Sequence, residues 1–250
     1  MTSLWRHNSA LNAGQLNVKF GADQACNIIS WPNPADSRIT SLGLSSRKAG
    51  LWVGRNIGEP QDDILRSMLA CAADSVLVIV DLQERLAAAM VPAARADVIR
   101  NTRILMEAAT RLGIPALVTE QYPKGLGPTV AQLFEKLPEA TPRLEKTCFS
   151  CAGTESFSTA LETTGRKQVI LAGMEAHVCV LQSALELRAV RQCVFVVEDA
   201  CCSRNQRHHA NAMHRLRAAG VVVTNTESVV FEWLRDARHE HFKAMSALLR

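Results

Sequence analysis

Residues 169–187 read VILAGMEAHVCVLQSALEL, and the period of their hydrophobic pattern changes halfway along. Val169, Ile170, Leu171 and Ala172 form a short, continuously apolar run, as in a strand buried on both faces of a parallel sheet. From His177 onward apolar side chains recur at helical spacing, at Val178, Leu181, Ala184 and Leu185, with Val190 beyond them. Cys179 therefore falls in or near the first turn of a helix that follows a strand. The unpaired backbone N–H groups and positive dipole end of such a turn favour a thiolate. Strand C-termini are also where open α/β sheets place their ligands. Taken alone, a cysteine there is as readily a small buried hydrophobe, because free cysteine is among the most buried residue types.

The alternation extends in both directions. Strands are expected at Ser75–Val80, Ile114–Thr119, Gln168–Met174, Cys193–Glu198 and Val221–Thr224. Helices are expected over Pro92–Leu112, which opens with proline and stops at Gly113, and over 129–136, Thr154–Thr164, 177–191, Gln206–Ala219, Glu227–Leu234 and His239–Leu249. Strands alternating with helices predict a three-layer α/β/α sandwich around a central, mainly parallel sheet. Asp81 at the end of the first strand, the 120–127 loop after the second and Met174–Cys179 after a later one then share one rim. An aspartate in that place could equally cap the next helix.

Composition bounds the rest. A chain of 250 residues that is 48% hydrophobic can bury one substantial core. Residues 1–67 hold three of the four tryptophans (Trp5, Trp31, Trp52) and no sustained period. They read as an N-terminal extension expected to be poorly ordered, with the regular domain spanning 68–250 and Met68 a candidate internal start. A net charge of +4, spread along the chain, gives no nucleic-acid footprint. No apolar run is long enough to cross a bilayer, and no secretory signal is evident. Eight cysteines in this length do not suggest a disulfide scaffold, so reduced thiols in a cytoplasmic protein are expected. Cys148 and Cys151 form a CxxC, which suits a redox pair or half a zinc site; the adjacent Cys201 and Cys202 are badly spaced to complete one. Cys26, Cys71 and Cys193 lie in unrelated contexts.

From about Ser75 to the C-terminus, the segments SVLVIVDLQ, GIPALVTEQYPKGLG, LEKTCFS, VILAGMEAHVCVLQSALEL and VFVVEDACCSR follow one another in order. Each is a weak motif; the series resembles the isochorismatase-like cysteine hydrolases, the superfamily that includes nicotinamidases. TEQYPKGLG, the lysine of EKTCFS and EDACCSR resemble the branch of isochorismatase domain-containing proteins. The resemblance implies a Rossmann-like isochorismatase fold and a triad of Asp81, Lys146 and Cys179. It further implies an oxyanion hole from the backbone N–H groups of Glu175 and Cys179, arranged by a cis peptide joining Met174 and Glu175, a rare bond outside proline. Lys124 is a rival lysine, better placed as a rim charge.

In this reading Lys146 and the helix N-terminus stabilise the thiolate and Asp81 accepts its proton. The sulfur attacks a carbonyl, and water later releases the acyl-enzyme. Two departures narrow the activity. Nicotinamidases carry a metal-binding histidine pattern, whereas the loop EQYPKGLG has no histidine, so neither metal nor other cofactor is expected. His208 and His209 lie on a helix where solvation is expected. True isochorismatases lack the nucleophilic cysteine, so Cys179 implies amide-type hydrolysis of a small molecule. Gln83, Gln121, Tyr122 and Phe149 are candidate pocket residues, Phe149 being equally suited to the core. A homo-oligomer is expected, as is common in the superfamily. Two other readings stand: a catalytically silent oligomeric binding protein of the same fold, and a thiol oxidoreductase using Cys148 and Cys151.

Overall fold

Six consecutive buried residues, Ser75–Val80, make β1 a central strand. The computed structural model describes residues 68–134, 140–190 and 192–250. The extension 1–67 lies outside the described residues, as do the C-terminal ends of the helices expected over 129–136 and 177–191. After β1 come α1 (Glu84–Ala88), α2 (Pro92–Arg111), β2 (Ala116–Gln121), α3 (Pro123–Leu126), α4 (Ala131–Phe134) and β3 (Arg143–Lys146). A 3-10 turn at Cys151–Gly153 leads to α5 (Glu155–Thr164) and β4 (Gln168–Met174). A π-helical turn, Ala176–Val180, then runs into α6 (Leu181–Ala189). The chain continues with β5 (Cys193–Cys202), α7 (Gln206–Ala218), β6 (Val222–Thr224), α8 (Thr226–Leu234) and α9 (Phe242–Leu248).

The sheet is parallel throughout, in the order β3-β2-β1-β4-β5-β6. The chain winds outward from β1 to β3, returns to the other side of β1 as β4, and winds outward again. The order therefore reverses between β1 and β4, which opens a crevice beyond their C-terminal ends, the usual ligand position in such sheets. Alternate strand residues feed two apolar layers. Leu77, Ile79, Val118, Ile170, Ala172, Phe195 and Val197 pack with α2, α8 and α9. Val76, Val78, Val80, Leu117, Val169, Leu171, Val194 and Val196 pack with α5, α6 and α7. This is the three-layer α/β/α architecture.

Several elements depart from the sequence expectation. β3 has no apolar run to announce it: RLEK is a four-residue edge strand, mostly exposed until Lys146. β5 continues to Cys202, past a register shift opposite Leu171–Gly173. His209 is not solvated but buried, its Nε2 3.2 Å from the Glu198 carbonyl. It shares the inward face of α7 with Ala212, Met213 and Leu216, so helical spacing carries it into the core. One glycine is obligatory. Gly173 has φ +128°, and a Cβ there would stand 2.0 Å from the Val80 carbonyl oxygen.

Candidate active site

The switch between β1 and β4 sets the site. Asp81 follows β1 with φ 49°, a left-handed conformation that aspartate tolerates better than most residues. The register Val80↔Thr119 sets Thr119 of β2 beside it, and Gln121↔Lys146 brings the last residue of β3 to the same edge. Beyond β4 the Met174–Glu175 peptide is cis, and the π turn carries Cys179. Asp81, Lys146 and Cys179, from three distant segments, thus converge.

The three are almost closed to solvent, at 0%, 4% and 5% exposure. Lys146 Nζ donates to Asp81 Oδ2 at 2.6 Å, to Gln121 Oε1 at 2.7 Å and to the Phe149 carbonyl at 3.0 Å, with the Cys148 carbonyl at 3.3 Å. An ammonium has three protons. The three shorter contacts use them, so Lys146 acts on the sulfur through charge rather than through a hydrogen bond. Thr119 Oγ1 donates to Asp81 Oδ1 at 2.7 Å. A carboxylate offers about four acceptor positions, which leaves Asp81 room to accept from the Cys179 thiol, its hydrogen-bonding neighbour.

The thiolate expected at this turn is not the resting state. Burial, helped by the negative charge of Asp81, pushes the Cys179 thiol up to about 12, and Lys146 offsets only part of this. At neutral pH the sulfur therefore keeps its proton.

The other expected residues divide into wall and rim. Gln83 is buried: its Oε1 accepts from the Gln121 N–H at 2.7 Å, and its Nε2 donates to the carbonyls of Gln121 at 3.1 Å and Gly127 at 2.6 Å. Gln121 spends its amide on Lys146 and, at 2.6 Å, on the Thr147 carbonyl. Both amides hold protein groups, so these residues form the wall that fixes the 122–129 loop. Tyr122 and Phe149 are 55% exposed. Phe149 is therefore on the surface rather than in the core, and Lys124 is an exposed residue of α3, whose N-cap is Tyr122. The Glu175 carboxylate accepts from the N–H of Arg204 at 3.2 Å and its Nε at 3.0 Å, pinning the turn to the chain after β5.

Three contributors were not singled out in the sequence: Thr119, Ser183, and the buried Glu120, which accepts from the Thr129 N–H and hydroxyl at 2.7 and 2.6 Å. Ser183 Oγ donates to the Cys179 carbonyl at 2.7 Å and accepts from the Cys151 N–H at 2.9 Å. Its place one helical turn after Cys179 is the signal that could have found it. Cys148 and Cys151 are free thiols: Cys151 is buried against Ser183, and Cys148 donates to the Ser150 carbonyl at 3.3 Å. Among the described residues, no group of three or more His, Cys, Asp or Glu side chains could hold a metal ion, and no helix is long and apolar enough to cross a membrane.

Residues 75–228 match the isochorismatase domain. Isochorismatase domain-containing protein 2 of Danio rerio is 40% identical over 177 residues, 70% of this chain and 86% of that protein. Among solved structures, the MAR1 ribonuclease of Caenorhabditis elegans is 37% identical with a TM-score of 0.68, over 72% of this chain and 92% of that one. The YcaC gene product of Escherichia coli, described as an octameric hydrolase of unknown specificity, is 27% identical with a TM-score of 0.67, over 72% and 89%.

Proposed function

The chain belongs to the isochorismatase family, whose fold supports hydrolase-type function, and within it we propose a metal-independent cysteine hydrolase that opens a small amide-type substrate through an acyl-enzyme on Cys179. The observation that carries this is a buried Asp81–Lys146 ion pair set against the thiol of Cys179. As the sulfur attacks the substrate carbonyl, its proton passes to Asp81. Lys146, fixed 2.6 Å from that carboxylate, supplies the positive charge that the forming thiolate and tetrahedral oxygen require. The backbone N–H groups of Glu175 and Cys179 receive the oxyanion. Asp81 returns the proton to the leaving amine, then draws one from the water that releases the acid.

Amide over vinyl-ether cleavage follows from the presence of a nucleophile, and metal independence from a loop after β2 without histidine. Small size follows from the near-complete burial of the reacting groups. Self-association is part of the same proposal, in keeping with the octameric YcaC relative, and free thiols among the described residues accord with a reducing, cytoplasmic setting. The test is ammonia release from a panel of small primary amides by the wild type and Cys179→Ala, with cleavage of a short RNA followed separately by gel because one solved relative is described as a ribonuclease. Turnover lost in Cys179→Ala supports the proposal; turnover that survives the substitution refutes it. Light scattering on the same samples reads the oligomer.

A further inference from the structure

Cys151 is a second buried nucleophilic group that the proposed hydrolysis leaves unused. Its Sγ lies 3.0 Å from Ser183 Oγ, which in turn donates to the Cys179 carbonyl. The Thr119 hydroxyl, whose proton goes to Asp81, is a further polar neighbour of the Cys151 thiol. Ser183 thus bridges the two cysteines, accepting from the Cys151 N–H at 2.9 Å and donating to the Cys179 carbonyl at 2.7 Å, and both thiols feel the charge of Asp81. The single hydroxyl proton of Ser183 is spent on the Cys179 carbonyl, so Cys151 meets Ser183 as a donor and stays protonated. Burial also keeps the Cys151 thiol neutral, pushing it up to about 11. Cys148 is directed elsewhere, at the Ser150 carbonyl.

We propose that Cys151 is the resolving thiol of Cys179, so that a small hydroperoxide entering in place of substrate converts the site to a reversible Cys151–Cys179 disulfide. The proposal rests on Cys179 being the nucleophile. In the first step the Cys179 sulfur attacks the terminal peroxide oxygen and the O–O bond breaks. Asp81 takes the thiol proton and passes it to the departing alkoxide, which leaves as an alcohol, or as water when the oxidant is hydrogen peroxide. Cys179 is then a sulfenic acid. In the second step the Cys151 sulfur attacks the sulfenic sulfur, the S–O bond breaks, and hydroxide leaves as water with the Cys151 proton. Two thiols have given up two electrons, and the hydroperoxide has been reduced to alcohol and water. Without a resolving thiol, further oxidant would carry Cys179 to the sulfinic acid, which ordinary thiols do not reverse.

The experiment treats the reduced full chain with increasing hydrogen peroxide, blocks residual thiols with N-ethylmaleimide in denaturant, and maps the peptides by mass spectrometry. Cys151→Ser and Cys148→Ser are run in parallel. The wild type should lose two thiols per chain and yield a linked Cys151–Cys179 peptide that dithiothreitol separates. Cys151→Ser, which keeps a donor at Ser183, should lack that link and accumulate sulfinic acid at Cys179. Cys148→Ser should behave as the wild type. A link to Cys148 or Cys202, or sulfinic acid as the first stable product in the wild type, overturns the proposal. If Cys151→Ser does not fold, the wild-type map decides alone. Cys179-dependent ammonia release by the reduced protein separates the two readings. Such release without the linked peptide defeats only the resolving role, whereas its absence counts against the hydrolase and leaves the peroxide map to be read by itself.

Discussion

Replacing Lys146 with methionine removes the ammonium that faces Asp81 and leaves a carboxylate with a threonine hydroxyl and a thiol as its remaining neighbours. Both side chains of the pair are shut from water, at 1% and 0% exposure. Stripping one partner from such a pair costs about 3–5 kcal/mol, because the other charge stays buried without compensation. Lys146→Met is placed at about 4 kcal/mol in that range. Asp81→Asn is placed at about 3 kcal/mol, since the stranded ammonium retains Gln121 Oε1 and the Phe149 carbonyl. Independent sites would give about 7 kcal/mol in the double variant. With both charges gone no ion is stranded, and a loss of about 4 kcal/mol is expected, which makes the coupling about 3 kcal/mol. Urea unfolding of all four proteins, followed by circular dichroism, measures it, with constant slopes as the check on a two-state comparison. A coupling below about 1 kcal/mol, the value of an exposed pair, would refute the claim that the pair is buried and mutually dependent.

Three further outcomes follow from the site. Asp81→Asn should abolish ammonia release yet speed iodoacetamide labelling of Cys179 near pH 8, because the carboxylate that raises the thiol is gone while Lys146 remains; slower labelling would contradict this. Cys151, Cys179 and Cys202 are held at about 11, 12 and 12 by burial, against an ordinary value of 9.0. Their folded-state values are raised, so the stability linked to them is fully present below about pH 9 and is lost as pH rises toward their folded values, by up to about 1.4 kcal/mol per pH unit for each group. Urea midpoints from pH 8 to 11 should fall, and less steeply in Cys202→Ala; an equal slope would count against the assignment. Gly173→Ala would force a methyl to 2.0 Å from the Val80 oxygen at a positive φ, so it should yield little soluble protein or lose more than about 3 kcal/mol of stability in urea.

The layers of this fold were legible because burial on both faces leaves a direct mark. VILA and SVLVIV are apolar without interruption, and the helices between strands carry a period of 3.6. β3 was not legible, because RLEK sits at an edge where water covers most of it and nothing selects apolar residues. The site divides along the same line. Asp81 and Cys179 stand at strand ends that the pattern locates, and Lys146 came only from the order of motifs. Thr119 was missed because its approach to Asp81 depends on the β1–β2 register, a relation between distant segments that single-strand patterns do not carry. At Cys179 a turn dipole is only a partial charge, whereas burial and a full carboxylate charge both oppose ionisation.

Under the proposed mechanism, that opposition explains why Cys179 as nucleophile needs both of its partners. At rest the site holds one anion, one cation and a neutral thiol. Losing the thiol proton to bulk water would leave two buried anions against one ammonium, which the raised thiol resists. Moving the proton to Asp81 leaves the total charge unchanged and exchanges a carboxylate–ammonium pair for a thiolate–ammonium pair. The penalty is then the loss of the 2.6 Å charge-assisted bond from Lys146 to the carboxylate, set against a sulfur that Lys146 reaches only through space. Such a transfer is uphill by itself, and it becomes favourable as the sulfur's charge passes to a substrate carbonyl. The thiolate therefore exists mainly during attack, which spares Cys179 from casual electrophiles. Asp81 without Lys146 would be a stranded carboxylate, and Lys146 without Asp81 would ionise the sulfur but leave no group to return its proton. On this reasoning Asp81→Asn/Lys146→Met should fold better than the sum of its parts and still release no ammonia.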